Sequence, residues 1–291
     1  MFVGGQIEAL VEHFNQRGVS LYHSCQLKDF RSYLKLGGIP SRQLLTDCGL
    51  SFTEFETDYI DQKNGVWDKV FLNPVDFGAF FARGNAATPT TYGPIAFVFY
   101  PDVLLEAQDV AVCLRSAGAS DFKREEESLS SVQEVDTIFV CPKEHGFPRS
   151  IEIKSEKVLE RDHPSRKVRG SPEISCSCAT SRLSFKQLSY IYVDPYCIRG
   201  KALERLVEEE LCKFGFTCEV KVRQCPRSPI YSELADTLGV GYMGLDDLLS
   251  LTSASSDIRE CAKGLKRNNL GYQWERYAKY LIAGTLTAFQ P

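Results

Sequence analysis

Three groups of residues carry side chains whose types and spacing could do chemistry. The first is Tyr22-His23-Ser24, closing a short alternating segment ahead of the turn Gly37-Gly38-Ile39-Pro40-Ser41-Arg42. An imidazole at a strand end can donate to a ribose hydroxyl or a carboxamide while the sheet fixes its backbone. The second is the aromatic stretch from Trp67 to Asn73, continued by Phe80-Phe81-Ala82-Arg83 and Tyr92-Gly93-Pro94. Aromatic walls with one guanidinium suit a flat ring and a diphosphate. The third is Glu173, which starts an alternating segment just after a basic run holding Arg161, His163, Arg166, Lys167 and Arg169. A carboxylate there faces a place that anionic partners can approach. Each group also has an ordinary reading. A half-buried strand histidine is most often a satisfied core residue, a strand-end glutamate usually faces solvent, and aromatic stripes are usually core.

The elements that must position these groups are legible from periodicity. Ile7, Leu10, Val11 and Phe14 recur at helical spacing over 6–17, and Gly18 ends that helix. A strand is predicted over 19–23 and a helix over 28–36, stopped where Gly37-Gly38 can supply a left-handed cap. Ser41 can cap a turn starting at Arg42. The middle of the chain reads as strands over 66–72, 95–100, 109–114, 135–140, 150–153, 173–176 and 188–193. Between them lie a Gly- and Thr-rich loop at 84–93, an acidic solvated stretch at 116–133, and the basic, Pro-broken loop at 154–170. A clear amphipathic helix follows over 201–214 and a last strand over 218–222. Beyond Pro226 the chain reads as helical only, at 231–237, 244–251 and 256–286. The spacing predicts an α+β domain with a mostly antiparallel sheet over 1–226 and a helical C-terminal extension over 227–291. A doubly wound nucleotide fold is disfavoured, because no G-x-G-x-x-G turn follows a strand.

Composition narrows the classes. The 291 residues are 43% hydrophobic and 25% charged, an ordinary globular balance. A net charge of −4 argues against a protein that coats DNA wholesale, although local patches decide nucleic-acid binding. The 11 cysteines are irregularly spaced without a C-x-x-C, so buried thiols are expected and no metal. The N-terminus lacks the pattern of a signal peptide, and no run of apolar residues is long enough to span a bilayer. A cytoplasmic location is expected.

The run Leu21-Tyr22-His23-Ser24, with Phe30, Tyr33-Leu34, Gly37-Gly38-Ile39 and Ser41, resembles the opening of DarT-like ADP-ribosyltransferases. Pro172-Glu173-Ile174, followed by Leu183 to Leu188 and Ile191-Tyr192-Val193, is similar to the glutamate strand of that family. The helix over 203–214, Gly215-Phe216 and the strand over 219–222 resemble its closing elements, so the likeness spans residues 20 to 225. Two departures stand out. No arginine falls within 43–69, where the family carries an essential one, which leaves Arg42 or Arg83 for that role, and Pro172 replaces a small residue before the glutamate.

The resemblance implies a mostly antiparallel split β-sheet with flanking helices, and a toxin that uses NAD as co-substrate without a metal. It implies that Glu173 stabilises the oxocarbenium ion developing on the nicotinamide ribose, as carboxylates do in glycoside cleavage. By the same token His23, with its neighbour Ser24, holds a ribose or the carboxamide, Tyr22 or Tyr92 stacks on nicotinamide, and Arg42 or Arg83 balances the diphosphate. The implied acceptor is a base in single-stranded nucleic acid, DNA by family default and RNA as the alternative, guided by phosphate contacts from Arg161, Arg166, Lys167 and Arg169. A cognate antitoxin, or an antitoxin with a chaperone, is the implied partner, in a toxin–antitoxin or phage-defence setting, and 227–291 could dock it. A protein-modifying transferase and a non-catalytic binding module of the same fold are the competing classes.

Overall fold

A computed structural model describes residues 1–78, 90–141, 151–198, 200–224, 228–239, 244–250, 255–267 and 271–288. Strand β1 (Phe2–Val3) precedes the helix Gly5–Arg17, which buries Ile7, Leu10, Val11 and Phe14 on the stripe that their spacing requires. The other strands are β2 (Leu21–Cys25), β3 (Gly38–Pro40), β4 (Val70–Leu72), β5 (Ile95–Phe99), β6 (Asp109–Cys113), β7 (Glu173–Ser177), β8 (Arg182–Ser184), β9 (Leu188–Val193), β10 (Cys197–Ile198), β11 (Lys201–Ala202) and β12 (Val220–Val222).

Two four-stranded sheets dominate this mixed α+β fold, with orders β1-β6-β7-β4 and β12-β9-β5-β2. The first is antiparallel throughout, and in the second only β12 and β9 run parallel. The sheets meet at an antiparallel bridge between Tyr22 and Asn73, closed by reciprocal backbone bonds of 2.8 Å. That junction carries β2 of one sheet to the end of β4 of the other. The helix expected over 28–36 is present, and the turn expected from Arg42 is a short helix. Leu27–Leu36 ends at Gly37, whose φ of 67° provides the left-handed cap, and Ser41 accepts from the Leu44 amide to start Arg42–Asp47.

The structure corrects several segments: of the strand expected over 66–72 only Val70–Leu72 forms, and of that expected over 150–153 the described residues 151–153 make only an isolated bridge at Ile153. Residues 135–140 do not form a strand: the helix Val132–Asp136 occupies their start, and Phe139 makes only an isolated bridge to Ile153. Val135, Ile138 and Phe139 are all buried, and their three- and four-residue spacing suits a helical turn as well as a strand. The Ser131 hydroxyl tips the balance by accepting from the Glu134 amide as an N-cap. Likewise the stretch 154–170 is not all loop, for it contains the helix Glu156–Asp162, with Leu159 buried beneath it. Pro164 falls just beyond its last turn and so does not break it.

The C-terminal segment is helical: Ser228–Gly239, Leu245–Ser250, Ser256–Arg267, Gly271–Leu281 and a π-helical turn, Ile282–Leu286. Its Trp274, Tyr277, Ala278 and Leu281 join the same hydrophobic core as the sheet residues. Polar bonds fasten it further. The Thr285 hydroxyl accepts from the Leu27 amide at 3.1 Å and donates to Gln26 Oε1 at 2.7 Å. The Tyr277 and Tyr196 hydroxyls meet at 2.5 Å, and Arg31 donates to the Ala288 carbonyl at 2.6 Å. Cys25, Cys113, Cys176 and Cys261 are buried as small apolar groups, whereas Cys48, Cys141, Cys197 and Cys212 are exposed, unlike the expected buried thiols. Among the described residues no helix is long and apolar enough to cross a membrane.

Candidate active site

The site is assembled where the two sheets meet. Glu173 heads β7, half-buried, and its carboxylate is fixed from the loop after β6. The Ser116 hydroxyl donates to Oε1 at 3.1 Å and the Ala117 amide to Oε2 at 2.8 Å. Burial raises its pKa to about 7; the two hydrogen bonds pull it down, and the charge of Asp61 pushes it up again. The carboxyl is therefore poised to change charge near neutral pH. The loop that holds it is itself pinned by ion pairs. Arg115 reaches Asp121 and Glu127, each at 2.6 Å, and Lys167 pairs with the other oxygen of Asp121.

Tyr92 stands beside this carboxylate. Its phenol is raised first by burial and then by the charge of Glu173, and it also feels Arg276, Asp61 and Tyr280. With 39% of its surface exposed, the ring is an accessible wall and not core. Phe77 and Phe55 flank it at centroid distances of 5.4 and 6.4 Å, and Tyr280 packs edge-on against Phe55 at 4.6 Å. Gly93 makes this placement feasible. Its φ is 129°, and a Cβ there would lie 2.1 Å from the Cys25 carbonyl oxygen, so the backbone passes β2 only without a side chain.

Arg42 closes another side. Its Cζ lies 4.9 Å from the Phe52 ring centre and 5.2 Å from that of Phe55, and Nη1 donates to Asp29 at 3.1 Å. Asp29 is buried and also accepts from the Thr53 amide and hydroxyl, at 3.0 and 2.6 Å. Asp61, near Arg42, has its pKa raised to about 7, by burial first and then by Asp58, while Arg42 acts in the opposite sense. Sequence reasoning missed Asp58 and Asp61. Their only signal was acidic residues three apart in the helix Asp58–Lys63, a pattern that surface helices show routinely. It also missed Phe55, Arg276 and Tyr280, which no local motif marks.

His23 borders the site from behind. Nδ1 lies 2.7 Å from the Phe71 carbonyl oxygen and Nε2 lies 3.3 Å from the Tyr33 hydroxyl. A carbonyl only accepts, so Nδ1 carries the proton and Nε2 accepts from Tyr33. Burial lowers the imidazole to about 4, and it stays neutral. Both ring nitrogens are thus engaged within the protein, and a ligand hydroxyl can reach Nε2 only by displacing Tyr33. Tyr22 and Ser24 fall on the opposite face of β2, as strand alternation dictates. There Tyr22 is raised by burial and feels Asp76 and Tyr192. The structure sets Tyr92 within reach of the Glu173 charge and links Arg42 to Tyr92 through Phe55, with His23 near Arg42, and it places Tyr22 and Ser24 on the other face of β2. Arg83, with Phe80 and Phe81, lies outside the described residues.

The basic residues of 154–170 differ in availability. Arg166 is committed: it donates to both oxygens of Glu134, at 2.8 and 3.1 Å, and to the Glu127 and Ser128 carbonyls. Lys167 pairs with Asp121 and Arg161 with Asp162. Arg169 is held by its backbone, whose amide donates to the Leu114 carbonyl, and its side chain is exposed. Among the described residues no group of three or more His, Cys, Asp or Glu could hold a metal ion.

No family model matches the sequence, and no curated protein matches it. Among solved structures, the chain is similar to Thermosipho africanus DarTG in complex with ADP-ribose, at 11% identity and a TM-score of 0.37. The match covers 73% of this chain and 51% of that one, so the chain spans about half the length of that structure. An overlap of this size leaves the chemistry to be read from the side chains.

Proposed function

We propose that this protein is an ADP-ribosyltransferase that cleaves NAD in the cleft between Tyr92, Glu173, Asp61 and Arg276. One observation carries the reading. Among the described residues, two buried side-chain polar atoms have no hydrogen-bond partner, Asp61 Oδ1 and Arg276 Nε. Both belong to groups acting on Tyr92 beside Glu173. Buried polar atoms are nearly always paired, so an acceptor and a donor left over around one aromatic wall fit a ligand with hydroxyls and anionic oxygens. A dinucleotide has both, along with flat rings for the Phe55, Phe77 and Tyr92 walls.

In this reading the ionised Glu173 carboxylate, fixed by Ser116 and Ala117, stabilises positive charge growing on the ribose as nicotinamide departs. It can then take the proton of the attacking acceptor. The acceptor we assign is a base in single-stranded nucleic acid, supported by the exposed Arg169 on the chain leading into β7. A cognate antitoxin is the corresponding partner. The direct test incubates the purified protein with NAD and measures nicotinamide release and label transfer to DNA, RNA and protein extract. Release with transfer to oligonucleotide is expected. Transfer to protein alone would refute the nucleic-acid acceptor, and a chain that neither releases nicotinamide nor binds ADP-ribose would refute the enzyme.

A pH profile adds a second check. Because Glu173 must be ionised, nicotinamide release should rise with an acid limb near its pKa of about 7. Asp61→Asn removes a neighbouring negative charge, so the limb should move to lower pH. It should remain above the ordinary carboxylate range, since burial is the larger cause. An unmoved limb in the Asn variant would show that Asp61 does not act on Glu173.

A further inference from the structure

The helix Gly271–Leu281 brings one cation to the cleft. The Cζ of Arg276 sits 5.5 Å from the ring centre of Tyr272 and 5.7 Å from that of Tyr280. Both rings lie within cation–π range of the guanidinium, and the Tyr280 hydroxyl also accepts a hydrogen bond from it. Its buried Nε has no hydrogen-bond partner, and its charge acts on Tyr92. The Glu56 carboxylate feels its charge and is itself hydrogen-bonded by Tyr272 and Lys279. Tyr280 is anchored in turn, since its hydroxyl accepts from the Glu56 amide at 3.0 Å.

Arg42 is in the opposite condition. It is paired with Asp29 at 3.1 Å, and Asp58 and Asp61 also feel its charge. A diphosphate brings two negative charges into a half-desolvated cleft, where they require cations that carboxylates have not already neutralised. On that accounting Arg42 has little charge to offer, whereas Arg276 shares its charge with one carboxylate, Glu56, which Tyr272 and Lys279 already hold. A guanidinium whose buried Nε has no partner keeps a donor for phosphate oxygens, even with Tyr280 accepting one of its other hydrogen bonds.

The geometry points to Arg276 as the residue that binds the diphosphate of the dinucleotide, which makes the C-terminal helix Gly271–Leu281 part of the binding site. This assignment rests on the reading of NAD as the co-substrate. The test uses the full-length chain and calorimetric titration with ADP-ribose, ADP and adenosine. Arg276→Gln should weaken ADP-ribose and ADP by about 10- to 100-fold, the worth of a charge-assisted hydrogen bond, and leave adenosine unchanged. Arg276→Lys keeps the charge but loses the fork, and should lose several-fold for the phosphate-bearing ligands alone. It also serves if the Gln variant does not fold. Parent-like ADP-ribose affinity in both variants would overturn the assignment, as would an equal loss for adenosine, which would mark a structural role. Loss of oligonucleotide binding with ADP-ribose binding intact would overturn it too, by moving the phosphate contact to the acceptor. Should the parent chain bind neither ADP-ribose nor ADP, the NAD reading itself fails. Should the parent bind both and the variants match it, only Arg276 is reassigned.

Discussion

Glu173→Gln is expected to cut ADP-ribosyl transfer by about 10²- to 10⁴-fold while leaving NAD affinity within a few-fold of the parent. The reason lies in where the carboxylate acts. Gln preserves the shape, can still accept from the Ala117 amide, and can donate to Ser116, so the ground state is little changed. What disappears is the negative charge beside the ribose, which matters only as positive charge develops there. Single-turnover rates and binding isotherms on both proteins measure the split. Near-parental transfer by the Gln variant would remove Glu173 from the chemistry.

The same substitution should stabilise the fold at alkaline pH. Below about pH 4.5 the carboxyl is protonated in folded and unfolded chains alike, and it adds no pH dependence. From there to about pH 7 the unfolded chain ionises first, so stability falls as pH rises, and above pH 7 the full cost of holding a buried charge is present. A shift of this size, discounted for partial solvent screening, corresponds to about 1–2 kcal/mol. Denaturant unfolding should therefore find the Gln variant more stable than the parent at pH 8 and equal to it at pH 4. Lost activity with gained stability is what a residue kept for function produces.

Deleting 227–291 should abolish folding or leave an aggregating chain. Trp274, Tyr277, Tyr280 and Leu281 are all nearly completely buried. At roughly 1.5–3 kcal/mol for each large apolar side chain, that burial is comparable with the 5–15 kcal/mol that usually separates folded from unfolded protein. The cut would also strip the Leu27 amide and Gln26 of Thr285, and Tyr196 of its Tyr277 partner. Trp274→Ala is the milder form and should cost about 3–5 kcal/mol. Soluble expression and a cooperative melt of the truncated chain would settle the matter. A well-folded, active 1–226 would make the segment a separable appendage, open to docking an antitoxin.

Local order was readable in the sequence because it depends on neighbours in the chain. The stripe Ile7, Leu10, Val11, Phe14 has helical spacing, and Gly37 and Ser41 have the chemistry of a helix end and a helix start. The strands at Ile95–Phe99 and Asp109–Cys113 carry β-branched and aromatic runs. Where local signals conflicted, as at Val135, Ile138 and Phe139, the Ser131 cap decided in favour of a helix. Glu173, Arg42, Tyr92 and His23 could be singled out by type and context, but their surroundings could not. The bridge between Tyr22 and Asn73 joins the two sheets, and that pairing spans 51 positions that carry no trace of it in either segment. Strand alternation then turned His23 toward Tyr33 and Tyr22 away from it, and packing against the C-terminal helices supplied Arg276 and Tyr280. Charge behaves the same way. The basic run at 161–169 looked uniform in sequence, yet folding spent Arg166 on Glu134 and left Arg169 exposed. Ion pairs and burial are properties of distance in space, and it is distance in space that makes Glu173 a carboxyl poised near neutrality.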